Sequence, residues 1–155
     1  MRKYWNALDN IYGDVVNQYS INPNVKSFHG AIVFYRHKAV AWGMNQPDRS
    51  VTNNVMCFSI HAEVDAFMRC IPKHRERASE ILVFRCRRDG KLANSRCCSG
   101  CLSFLKKTNI RKVIFTNDHG DLEVHRIEDL NAELDGPQKR QYQRNSTGPI
   151  YTVWE

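Results

Sequence analysis

Residues 80–118 read EILVFRCRRDGKLANSRCCSGCLSFLKKTNIRKVIFTND, and the fold class turns on them. Ile81-Leu82-Val83-Phe84 is a compact apolar run of the length a buried strand takes. Asp89-Gly90 marks a turn. A helix is predicted to begin near Cys98, with Leu102 and Leu105 on one face and Lys106-Lys107 close to the negative end of its dipole. Lys112–Thr116 reads as the next strand. Strand, helix and strand in alternation call for an α/β layer structure with crossover connections.

The stretches on either side fit the same plan. Going back along the chain, a helix is predicted from His61, with Val64, Phe67, Met68 and Ile71 at i, i+3, i+4 and i+7 and with Pro72 at its end. Before it, 45–54 is a polar loop. Ser27–Phe34 and Lys38–Met44 are two strands of a hairpin, joined by Tyr35-Arg36-His37. Trp5, Leu8, Tyr12, Val15 and Tyr19 line one face of an N-terminal helix, which Asn22-Pro23-Asn24 ends. Beyond Asp118, Leu122 and Val124 alternate like a strand, Ile127, Leu130 and Leu134 suggest a short helix, and 136–148 reads as an exposed loop or tail. The whole of 1–155 is read as one domain, with no internal repeat.

Composition narrows the function classes. Apolar residues at 42% and charged residues at 25% belong to a soluble globular protein rather than a disordered or membrane chain. The expectation is an intracellular protein, cytoplasmic or nuclear, without a secretory signal or membrane span. In that reducing setting the six cysteines are thiols or metal ligands rather than three bridges. A net charge of +7 favours anionic partners such as nucleotides or nucleic acid, set against a merely solvated surface.

Two short motifs carry chemistry. His61-Ala62-Glu63 and Cys98-Ser99-Gly100-Cys101 each fall at a predicted helix start. Zinc takes nitrogen and sulfur ligands in a tetrahedron, and a catalytic site keeps one position open. His61, Cys98 and Cys101 supply three ligands, and a helix N-terminus favours the thiolate form of the cysteines. Glu63, two residues past His61 in the first turn, can reach over the helix end as a proton carrier without binding the metal. Zinc lowers the pKa of its water from about 15.7 to about 7, so the expected nucleophile is hydroxide at neutral pH. H-x-E followed by P-C-x-x-C is the mark of zinc deaminases.

The segments SIHAEVDAF, ILVF and NSRCCSGCLSFLKKTNIRKVIFTND resemble the cytidine and deoxycytidylate deaminase superfamily, from about Phe28 to Asp118. The resemblance implies a three-layer α/β/α sandwich around a five-stranded mixed sheet, with Zn2+ between the starts of two helices. Carried over, His61, Cys98 and Cys101 match the zinc ligands and Glu63 matches the proton shuttle. Gly43-Met44-Asn45 resembles the family's G-x-N and makes Asn45 a substrate-binding residue. Ala62, inside the first motif, is taken as a second substrate contact. The strand-like run after the second motif resembles the deoxycytidylate and tRNA-adenosine branch, in which the last two strands are parallel. A homo-oligomer is also implied, since many members complete their sites across subunits. One departure is that Cys97 stands where the family has proline, which leaves that turn less rigid and adds an alternative thiol ligand.

The leading expectation is hydrolytic deamination of a cytosine nucleoside or nucleotide, with dCMP favoured slightly. Deamination within a polynucleotide, on cytosine or tRNA adenosine, is the first alternative. A non-catalytic zinc-stabilised binding module is the second. Arg85, Arg87 and Arg88 either solvate a strand end or bind phosphate. Lys139, Arg140, Tyr142 and Arg144 read as a solvated tail before a base-stacking segment. Cys57, Cys70 and Cys86 read as core residues. His29, His37, His74, His119 and His125 read as surface or satisfied histidines, and Trp5 and Trp42 as packing residues.

Overall fold

The computed structural model describes residues 1–21, 27–45, 51–52, 55–56, 61–95 and 99–130. Outside that set lie Asn22-Pro23-Asn24, Cys57, Cys97, Cys98, Leu134, the 136–148 segment and its basic residues. The chain runs α1 (Arg2–Ile21), β1 (Ser27–Tyr35), β2 (Lys38–Met44), β3 (Val51–Thr52), β4 (Val55–Met56), α2 (Ala62–Arg69), α3 (Pro72–Arg77), β5 (Glu80–Arg87), β6 (Leu92–Ala93), α4 (Ser99–Lys106), β7 (Lys112–Thr116) and β8 (Leu122–Arg126). A 3₁₀ turn, Ile127–Asp129, follows where a short helix was expected. No helix among the described residues is long and apolar enough to cross a membrane.

Five strands form the main path β2-β1-β5-β7-β8, and the two-residue β6 pairs beside the end of β5. Each central strand is apolar on both faces because helices cover both. Ala31, Val33, Ile81, Val83, Val113 and Phe115 point to one side and share a core with Ala62, Ala66 and Phe67 of α2 and Leu102 and Leu105 of α4. Phe28, Ile32, Phe34, Leu82, Phe84 and Ile114 point to the other and pack on Tyr4, Leu8 and Val15 of α1. The two-residue alternation of a strand sorts the two sets. The result is the expected three-layer α/β/α sandwich with a mixed sheet: β5 and β7 are parallel, and the other pairs are antiparallel.

Four expectations are corrected. The last two strands are antiparallel, not parallel. Only residues 117–121 join them, and a parallel neighbour needs a crossover of about a dozen residues or more. Asn117 organises that turn: its Oδ1 accepts from the amides of His119 at 2.9 Å and Asp121 at 3.0 Å. In α2, Val64 and Phe67 are buried as expected, but Met68 and Ile71 are 45% and 55% exposed. The sheet-facing surface is built instead from Ala62, Ala66, Phe67 and Cys70, whose small members let the helix sit close. Pro72 does not end α2; it occupies the first turn of α3, where its missing amide is harmless. α2 stops at Arg69, and Arg75 donates to the carbonyls of Met68 at 3.2 Å and Cys70 at 3.0 Å. The polar loop 45–54 contains a strand, Val51–Thr52, paired with Val55–Met56.

The β1–β2 hairpin turns on two residues, Arg36 and His37, with φ of 50° and 67°. Two positive values in a two-residue loop give the turn whose twist matches the strands, normally the place of Asn-Gly. At the same end of the sheet, Tyr4 donates to Glu80, and Lys3 pairs with Glu80 at 2.8 Å. Tyr4 was missing from the expected helix face, yet it is only 5% exposed because its hydroxyl finds this acceptor.

Candidate active site

Strand directions bring the start of α2 and the approach to α4 to one end of the sheet. β1 is antiparallel to both β2 and β5, so those two finish together: Gly30 pairs with Met44 on one side and Phe84 on the other. β7, parallel to β5, finishes at the same end. α2 starts there. A Cβ on Gly43 would lie 2.5 Å from the amide nitrogen of Ala66 and 2.5 Å from Oδ2 of Asp65. Glycine is therefore required at 43 by the close approach of a helix backbone. Oδ2 of Asp65 accepts from the Met44 amide at 3.0 Å and from Nε of Arg69 at 3.0 Å, which locks the first turn of α2 to the end of β2.

On that locked turn, His61 is the N-cap of α2 and its imidazole makes no capping hydrogen bond. It is half-buried there. Glu63 is only 5% exposed, and among the described residues its carboxylate has no hydrogen-bond or ion-pair partner. Ala62 is 1% exposed and its methyl lies in the core, so its contribution to a ligand site is through its main chain. Asn45 extends the end of β2: its amide donates to the His29 carbonyl at 3.0 Å and its Oδ1 accepts from the His29 amide at 3.0 Å. The side-chain oxygen expected near a ligand is held by β1, which fixes the orientation of the amide group.

The second motif reaches the same end through α4, which starts at Ser99 and returns to the beginning of β7. Ser95, which the sequence reading missed, pins the approach. It is 1% exposed, its hydroxyl donates to the Val83 carbonyl at 2.7 Å, and the Thr116 amide donates to its Oγ at 2.9 Å. Its own amide donates to the Thr116 carbonyl at 2.9 Å. Ser95 is thus tied to the ends of β5 and β7, three residues before Ser99 in the sequence. Only the buried polar character of Ser95 and Thr116, both near strand ends, could have signalled this pairing.

The donor set of His61, Cys98 and Cys101, one imidazole and two thiols with the Glu63 carboxylate alongside, suits a zinc ion with an open position. Among the described residues no three ligating side chains converge, since Cys98 and the Cys101 side chain lie outside them. The remaining candidates fall as expected. Cys70 and Cys86 are buried free thiols, and burial pushes both pKa values up. His125 pairs with Glu123 at 3.0 Å and stacks on Phe115, His74 packs on the Tyr35 ring, and His37 meets Lys3 at 2.9 Å. Trp5 and Trp42 pack against the α1-side core. Arg87 pairs with Asp89 at the exposed turn.

No family model and no curated protein matches the chain. Solved structures do. A 1.6 Å crystal structure of cytidine deaminase from Burkholderia pseudomallei aligns with a TM-score of 0.54 over 80% of this chain and 93% of that one, at 19% identity. The chain has a cytidine deaminase-like fold.

Proposed function

From the cytidine deaminase-like fold as premise, we propose that this protein is a zinc-dependent hydrolase that converts the exocyclic amine of a cytosine nucleoside or nucleotide to a carbonyl and releases ammonia. One observation carries the reading: a buried carboxylate, Glu63, paired with no other described residue, follows His61 at the start of a helix at the sheet end to which the second motif leads. His61, Cys98 and Cys101 would hold the metal. A bound zinc ion supplies a Lewis acid that makes water ionise near neutral pH. Glu63 would carry one proton of the attacking water to the ring nitrogen and then the second, from the newly added hydroxyl, to the departing amine, which leaves as ammonia. Asn45 and the main chain of Ala62 would orient the substrate. Among mononucleotides, dCMP is favoured by the net charge of +7 alone, because the antiparallel β7–β8 pair removes the link to the deoxycytidylate branch. A homo-oligomer inside the cell belongs to the same reading.

A panel of cytidine, deoxycytidine, CMP, dCMP, adenosine and short single strands, followed by ammonia release with and without chelator, tests this. Turnover of a cytosine mononucleoside or mononucleotide that chelator abolishes is expected. Turnover of none of the panel by zinc-loaded protein overturns it. Deamination within a polynucleotide is favoured by one feature: Tyr35 sits at the hairpin turn with Arg36 at 5.3 Å over its ring and His74 packed against it, on a surface that includes Lys73 and Arg77. Such an aromatic among cations suits a base and its phosphates. Turnover of single strands alone would select that reading.

A further inference from the structure

At the end of the sheet where β5 begins, three parts of the chain meet. β1 closes into the hairpin turn after Tyr35, whose register partner is Lys38 of β2. α3 ends just before β5. The amide of Arg111 donates to the Ser79 carbonyl at 2.7 Å, and the side chain of Asn109 donates to the Glu76 carbonyl, so the approach to β7 is tied to the same junction. Arg36, Lys38, Lys73, Arg77 and Arg111 are all exposed there. None of the five forms an ion pair among the described residues. Glu76 is the one exposed acid of these segments, and Glu80 is buried towards α1 with Tyr4 and Lys3.

A helix C-terminus attracts basic side chains, which accounts for Arg77 on α3. It does not account for cations that arrive from a hairpin and from the start of another strand. Like charges gathered in this way repel one another, and a polyanion relieves them. Planar groups sit among them. Arg36 lies 5.3 Å over the Tyr35 ring, and the His74 imidazole packs on that ring at 5.0 Å with a tilt of 32°. The hydrogen bond from Arg77, with the charges of Arg36, Arg77 and Lys73, outweighs burial and holds the Tyr35 pKa below its usual 10. Unstacked bases pile on aromatic rings and guanidinium planes, while lysines and arginines around them take the phosphates. A lipid surface or an acidic peptide would use the cations alone and leave the planes idle.

We infer that the hairpin turn, α3 and the approach to β7 form a binding surface for single-stranded nucleic acid, at the opposite end of the sheet from His61 and Glu63. The strand is anchored there apart from the candidate active site, so the inference does not rest on the deaminase reading. Anisotropy of a labelled short single-stranded RNA of mixed sequence, titrated with the full chain over a range of salt, tests it. Affinity should fall steeply as salt rises. Lys38→Gln, Lys73→Gln and Arg111→Gln together should weaken binding about tenfold or more at low salt and reduce the salt slope by about 2, with the thermal midpoint unchanged. Tyr35→Ala should weaken it about fivefold to a hundredfold at the same salt slope, and Tyr35→Phe should restore it. Excess cytidine should leave the complex intact. Wild-type affinity in the triple variant would overturn the inference, because the RNA would then lie elsewhere. So would displacement of the RNA by cytidine. The triple variant alters exposed side chains only, so it decides the matter even if Tyr35→Ala folds poorly. A well-folded Tyr35→Ala with unchanged affinity would overturn the assignment to nucleic acid and leave a surface for any polyanion, which phosphatidylserine vesicles would then also occupy.

Discussion

The two ends of the sheet treat a buried carboxylate in opposite ways. At the end where β5 begins, Glu80 is 6% exposed and receives Tyr4 and Lys3. At the end where β5 finishes, Glu63 is 5% exposed and has no such partner among the described residues. Burial, the largest influence on Glu80, would raise its pKa, but the hydrogen bonds from Lys3 and Tyr4 and the charges of Lys3 and Lys112 outweigh it and hold the pKa below 4.5. One acid is built to hold the fold together. The other, if the proposed function holds, is kept for chemistry rather than for structure.

The comparison is broken most forcefully at Glu63. Glu63→Gln removes the charge at nearly constant shape, so turnover should fall by about a hundredfold to ten-thousandfold. The thermal midpoint should hold or rise, because an uncompensated charge leaves the interior. A fall in both would return Glu63 to the structural class.

Glu80→Ala should do the reverse. Removing one partner of a buried pair costs about 3 to 5 kcal/mol, read as a lower urea midpoint, while the folded fraction keeps its specific activity. The sign of the pH effect follows from the lowered pKa: the contribution of Glu80 is complete above the unfolded value near 4.5 and is lost as pH falls through the folded value. The wild type should therefore lose stability below pH 4.5 more steeply than Glu80→Gln does.

Gly43→Ala acts on the joint between the two kinds of residue. Its Cβ meets helix backbone, not a side chain that can swing away. About 1 to 3 kcal/mol of stability should go, and turnover should fall by up to about a hundredfold as the first turn of α2 moves by a fraction of an ångström or more. Loss of stability without loss of turnover would show that α2 is not positioned from Gly43.

The smallest effect lies at the structural end, in the hairpin turn. Replacing Arg36 and His37 by Asn and Gly relieves two left-handed side-chain-bearing residues and should add about 1 kcal/mol without altering turnover. No gain in the melting temperature would mean that Tyr35, His74 and Arg36 stabilise the turn by packing.

Much of the fold was legible because both faces of the central strands are covered. Covered strands become apolar runs such as Ile81–Phe84, and the C-x-x-C turn marks the start of α4. α2 was harder. Periodicity weighs apolar residues, so Met68 and Ile71 completed a convincing stripe, while the real buried surface includes alanines and the acids Glu63 and Asp65. Polar anchors leave no such trace: neither Ser95–Thr116 nor Asp65–Met44 could be paired from spacing, since each joins residues distant in the chain. The direction of β8 was misread because a resemblance set it, when the shortness of 117–121 already allowed only a reversal. The position of His61 and Glu63 at a helix start was legible in the sequence.

Burial of Cys70 and Cys86 has an analytical use. Both thiols are held protonated inside the two cores, so alkylating reagents that attack thiolates pass over them in the folded protein. Cys70 and Cys86 can then be left out of any count of labelled thiols among the six cysteines. Mass added before and after chelation becomes a direct gauge of how many thiols a metal was shielding.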